Sequence, residues 1–119
     1  TVITHWQAGP NWPPPPLYLP VDPAQTPRGL TAFLHLLDDS GAYLAGADDF
    51  GAQPATLQPG DVVLQLHRLA LPADLPPGRY RLSVGLYDPF SSERFLLADG
   101  RDNVTAGWLE VAAPGAVAP

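Results

Sequence analysis

Arg79-Tyr80-Arg81-Leu82-Ser83-Val84-Gly85-Leu86-Tyr87 is the stretch that decides the fold. Tyr80, Leu82, Val84 and Leu86 share one side of an extended chain, while Arg79, Arg81, Ser83 and Gly85 share the other. A period of two is the geometry of a half-buried β-strand, and a helix would scatter both sets around its circumference. The polar side must be solvated or lie against a neighbouring domain.

Outward from this strand, turn signals and short apolar runs alternate. Downstream, Asp88 to Ser92 reads as a turn, Glu93 to Ala98 as a short strand, Asp99 to Asn103 as a second turn, and Val104 to Val111 as a closing strand. Upstream, Asp61 to Leu71 places Val62, Leu64 and Leu66 on one face and Val63, Gln65 and His67 on the other. The apolar phase then shifts to Leu69 and Leu71, which predicts a β-bulge near His67-Arg68. Leu30 to Leu37 fits a helical stripe through Leu30, Phe33, Leu34 and Leu37, but so short a helix is marginal in water. The turn tetrad Asp38-Asp39-Ser40-Gly41, followed by Ala42 to Ala45, favours strand, turn, strand. Thr1 to Gln7 is a further strand, rich in β-branched residues.

Between Ala8 and Gly29 the chain is Pro-rich, with Pro13-Pro14-Pro15-Pro16 at its centre. Consecutive prolines favour polyproline II and cannot donate to a sheet ladder. A connection of this length is expected to pack across the domain through Trp12, Leu17, Tyr18 and Leu19. About seven short strands with regular turns and no convincing helix describe an all-β, antiparallel sandwich of the immunoglobulin-like or fibronectin-like kind. The expected domain spans residues 1–112, with the Pro-rich insertion at 8–29 and a flexible tail at 113–119.

Composition narrows the function classes. The chain has 119 residues, the size of one ordinary domain, and 45% of them are hydrophobic, enough for a core. No Met is present and the chain opens directly on a strand, which reads as a processed or excised piece of a larger protein. Net charge is −6, a balance that disfavours nucleic acid and anionic membranes as partners. All six basic residues are Arg, and Cys is absent, so disulfides and thiolate metal sites are excluded. No apolar run approaches the roughly 20 residues of a membrane span.

Leu75-Pro76-Pro77-Gly78-Arg79-Tyr80-Arg81-Leu82-Ser83-Val84-Gly85-Leu86-Tyr87-Asp88-Pro89 is also the most recognisable stretch. It is accompanied, in order, by Phe33-Leu34-His35-Leu36-Leu37-Asp38-Asp39-Ser40-Gly41, Gln58-Pro59-Gly60-Asp61-Val62-Val63 and Arg94-Phe95-Leu96-Leu97-Ala98-Asp99-Gly100. Together these resemble the C-terminal extracytoplasmic β-sandwich domain of bacterial (Chloroflexi-like) family-39-type membrane glycosyltransferases. The resemblance covers nearly the whole chain except Ala8 to Gly29. It implies a non-catalytic accessory module whose partner is the rest of its parent polypeptide, a membrane domain, on the extracytoplasmic side. No cofactor is expected.

Candidate sites are weighed against structural roles. His5, His35 and His67 would suit zinc, but no His-x-His spacing presents two on one strand face, and they read as structural, with His35 and His67 a possible cross-strand pair. No metal centre is expected; Asp48, Asp49, Asp99 and Asp102 are where calcium would be sought, although Asp in turns serves local hydrogen bonding equally well. No nucleophile elbow or phosphate loop is present, and an enzyme is not expected. Trp12, Tyr18, Tyr43, Phe50, Tyr87 and Phe90 fall in loops or at strand ends, where aromatic rings beside Asp or Arg would stack on sugars. A carbohydrate-binding module is therefore the alternative function, and a small Ig-like protease inhibitor a further one.

Overall fold

A computed structural model of the chain describes residues 1–10 and 29–113. Trp12, Tyr18, most of the Pro-rich insertion and nearly all of the C-terminal tail therefore lie outside the described residues. Among the described residues six strands are present: β1 (Val2–Gln7), β2 (Thr31–Leu37), β3 (Tyr43–Gly46), β4 (Val62–His67), β5 (Gly78–Tyr87) and β6 (Val104–Val111). They form a two-stranded sheet, β1-β4, and a four-stranded sheet, β3-β2-β5-β6, every pairing antiparallel. The two sheets pack together as a β-sandwich.

The alternation of β5 holds for Tyr80 and Val84, but on the side read as solvated Ser83 is buried against this chain's own Asn103. The partner strand β2 supplies Ala32, Leu34 and Leu36, each with no exposed surface, and β5 adds Tyr80 and Val84 to the same buried face. Burying each of the two leucines stabilises the fold by about 1.5–3 kcal/mol. The hairpin between β2 and β3 turns where the Asp-Asp-Ser-Gly tetrad predicts. The Asp38 carboxylate accepts from the Ser40 and Ala42 amides at 2.9 Å each, and Gly41 takes φ of 85° to close the turn.

Three details depart from the sequence reading. The segment Glu93 to Ala98 is not a seventh strand; among its residues only Arg94 makes a bridge, to Tyr87. The reason is space along β5. Strand β6 pairs with β5 as far as Val84, leaving a short edge where Glu93 O accepts from Asp88 N and Phe95 N donates to Leu86 O. The chain then closes a tight turn, with Leu97 N donating to Arg101 O. Strand β4 stops at His67, so the shift toward Leu69 marks the strand's end and not a bulge. The irregularities lie between Leu36 and Leu37 and between Leu82 and Ser83. Finally, His35 and His67 belong to different sheets, and the register partner of His35 is Ser83.

The β1-β4 sheet has a phase opposite to that of its neighbour. Thr4, Gln65 and His67 are buried, whereas Ile3, Val62, Leu64 and Leu66 are 64%, 51%, 66% and 44% exposed. The polar residues turned inward are satisfied. His67 Nδ1 donates to Ala47 O at 2.7 Å, since a carbonyl can only accept. Trp6 Nε1 donates to Thr4 Oγ1 at 2.7 Å, and that hydroxyl keeps its own hydrogen for His67 Nε2 at 2.9 Å. Gln65 accepts from Gly51 N at 2.6 Å and donates to Leu66 O at 2.9 Å.

Candidate functional site

The outer face of the four-stranded sheet brings aromatic, imidazole and charged side chains together. On β2, Phe33 and His35 alternate with the core residues and lie stacked, ring centroids 4.6 Å apart. Tyr43 of β3 meets His35 edge-on at 5.0 Å, and Tyr87 at the end of β5 lies 6.2 Å from Phe33. The run is continuous because glycines stand where a side chain would obstruct it. A Cβ at Gly85 would lie 2.4 Å from Phe33 Cζ, and one at Gly46 would lie 2.6 Å from the Tyr43 hydroxyl. The Phe33 ring thus lies flat over the β5 backbone, and the Arg94 guanidinium covers it at 4.5 Å from the centroid.

Asp48 organises one end of this face. Its carboxylate accepts from His35 Nε2 at 3.3 Å and from the Tyr87 hydroxyl at 3.1 Å. Burial pushes the His35 imidazole below its ordinary value; Asp48 pulls the other way and Arg94 adds to the depression. Burial also raises the Tyr87 hydroxyl, with the Asp48 carboxylate reinforcing it. At the other end, Ser83 Oγ donates to Asn103 Oδ1 at 3.0 Å, and Arg94 pairs with Asp102 at 3.4 Å.

The chemistry open to this arrangement is limited. Asp48, His35 and Ser83 have the residue types of an acid–base–hydroxyl relay, and His35 faces Ser83 in register. A relay requires the hydroxyl to donate to the imidazole. Ser83 donates to Asn103 instead and is 3% exposed, so it has neither the partner nor the access of a nucleophile.

The aromatic residues singled out from the sequence separate into distinct roles. Tyr43 and Tyr87 come together on the sheet face through His35 and Phe33. Phe90 is half exposed on the turn after β5 and packs against Gly29, whose Cβ would sit 3.0 Å from its ring. Phe50 is partly buried beyond the Ala32–Asp49 bridge and belongs to neither group. Among the acids, Asp49 follows Asp48 but engages β2 through its backbone, donating to Ala32 O. Asp99 spends its carboxylate on the backbone amide and side chain of Arg101, and Asp102 on Arg94 and Asn103. Among the described residues no three His, Cys, Asp or Glu side chains gather as a metal-binding group.

Phe33, Arg94 and Trp108 were not legible as site residues, and His35 was weighed only as a zinc ligand or a partner of His67. Each reads in sequence as an ordinary strand or turn position, and only the register of four strands sets them on one face. Comparison of the chain with family models, with characterised proteins and with solved structures finds no match.

Proposed function

We propose that the chain is a non-catalytic accessory module of a larger extracytoplasmic, membrane-anchored bacterial protein of glycosyltransferase type, docked on its parent polypeptide through the outer face of β1-β4. The carrying observation is that face. Ile3 and Leu66 stand opposite each other, Leu64 and Val62 continue the row along β4, and all four are exposed. A cluster of aliphatic side chains turned to solvent, over a sheet whose inner face is polar, is the mark of a surface that meets another protein. The sequence resemblance supplies the occupant, the rest of the parent chain.

Two further features support an immunoglobulin-like or fibronectin-like assignment of the sandwich. The order β3-β2-β5-β6 facing β1-β4 corresponds to C′-C-F-G facing B-E in that architecture. The Tyr80 hydroxyl, near the start of the F-equivalent strand, donates to Pro76 O at 2.5 Å, the arrangement of a tyrosine corner.

The test is the gene on both sides of this segment, joined to a labelling experiment. A multi-span hydrophobic region upstream, with a Leu64→Cys thiol protected in the full-length protein and reactive in the isolated domain, supports the proposal. A signal peptide directly before Thr1 and a stop after Pro119 would overturn it.

A further inference from the structure

One cross-strand row on the opposite side of the molecule has no part in the accessory role. Tyr43 pairs with Leu37, Leu37 with Arg81, and Arg81 with Trp108, so the four side chains cross β3, β2, β5 and β6 in a line. The line ends on two aromatic rings, Tyr43 at 60% and Trp108 at 51% exposure. They stand three interstrand spacings apart, about 14 Å. Arg81 lies between them, and among the described residues its guanidinium approaches neutral acceptors, Asn103 Oδ1 at 3.4 Å and Thr105 Oγ1 at 3.3 Å.

This face holds cations beside carboxylates that are already engaged, Asp48 with His35 and Tyr87 and Asp102 with Arg94. The chain carries −6 overall with six cations, yet Arg79, Arg81 and Arg94 all project from this sheet face. Among the described residues, neither Arg79 nor Arg81 has a carboxylate within ion-pair distance; Glu110 is the register partner of Arg79 without pairing with it. Arg79 instead lies over one face of the Trp108 indole, 4.1 Å from its centroid.

We propose that this row binds an extended acidic polysaccharide of the polyuronate type. The apolar C–H face of a pyranose stacks on an exposed Trp or Tyr ring, and a carboxylate on the sugar accepts paired hydrogen bonds from a guanidinium. An open sheet face with rings at both edges suits a chain of several sugars, where a single sugar would require an enclosing pocket. Single-stranded nucleic acid also uses aromatic rings and Arg, so it serves as the competing ligand in the test below.

Affinity electrophoresis of the 119-residue chain in gels containing polygalacturonate tests the assignment, with an uncharged glucan and a single-stranded DNA oligomer as comparisons. Polygalacturonate is expected to retard the protein, less so as salt is added. Trp108→Ala and Tyr43→Ala each weaken retardation about tenfold. Arg81→Gln removes the preference for the acidic polymer over the glucan. All three variants are expected to melt near the parent, which separates a lost site from a lost fold. No retardation by polygalacturonate, retardation unchanged in Arg81→Gln, or stronger retardation by DNA would each overturn the assignment. The accessory role depends on the other sheet and on the gene, and none of these results bears on it.

Discussion

The two sheets of this sandwich obey the same alternation and assign its faces oppositely. In the four-stranded sheet the apolar set, Ala32, Leu34 and Leu36, is inside, and Tyr43 and Trp108 are exposed on the opposite face, where Phe33 is itself covered. In the two-stranded sheet Thr4, Gln65 and His67 are inside while Ile3, Leu64 and Leu66 face out. Alternation commits a segment to a strand, but a shift of one residue exchanges the faces, and the pattern carries no label for which is dry. A polar face turned inward is tolerable only where each group finds a partner, because an unpaired buried polar group costs about 1–3 kcal/mol. Here the His67–Thr4–Trp6 chain and the Gln65 contacts meet that requirement. The aliphatic face left outside is the surface proposed above to dock on the parent chain.

The largest expected difference between the sheets is in the cost of losing a leucine. Leu36→Ala is expected to destabilise the domain by about 2–5 kcal/mol in urea unfolding, as fully buried leucines do. Leu64→Ala, two-thirds exposed, is expected to fall within about 0.5 kcal/mol of the parent. Similar costs at the two positions would break the comparison. A smaller effect concerns the inward polar face: Thr4→Val keeps the shape and removes the hydroxyl between Trp6 and His67. The expected loss is about 1–3 kcal/mol, measured by the same unfolding curves, and a neutral result would mean that this network does not stabilise the phase.

The smallest effect is on the outer face of the larger sheet and depends on pH. Burial holds His35 below its ordinary value of 6.5, so the unfolded chain takes up a proton at a pH where the folded chain does not. The stability contributed by this group is therefore complete above 6.5 and declines as pH falls from there through the lower folded value. The melting temperature should drop between about pH 7.5 and about pH 5.5 by more in the parent than in His35→Gln. An equal drop in both would remove His35 from the account.

How much of this was legible follows from which interactions are local. The strand at Arg79 to Tyr87 and the turn at Asp38 to Gly41 were readable, because period-two patterning and Asx-turn chemistry operate within a few residues. Glu93 to Ala98 was misread as a strand because its apolar residues satisfy the pattern, while the space beside β5 is already held by β6. Tyr43 and Tyr87 were singled out as aromatics without any sign that His35 and Phe33 lie between them. Trp108 was passed over inside Val104 to Val111 as one more strand residue. Its place in line with Arg81 and Tyr43 is a matter of register across four strands, and a single sequence does not encode that in any local window.

The inverted phase of β1-β4 is the central claim, and the absence of Cys makes it directly measurable. Single-thiol variants Leu64→Cys and Gln65→Cys differ by one position along β4 and should differ sharply in reaction with a soluble disulfide reagent under native conditions. The account predicts that the thiol at 64 reacts nearly as fast as in the unfolded chain and that the thiol at 65 is protected. A protected thiol at 64 with a reactive one at 65 would contradict it, returning the aliphatic face of β4 to the core.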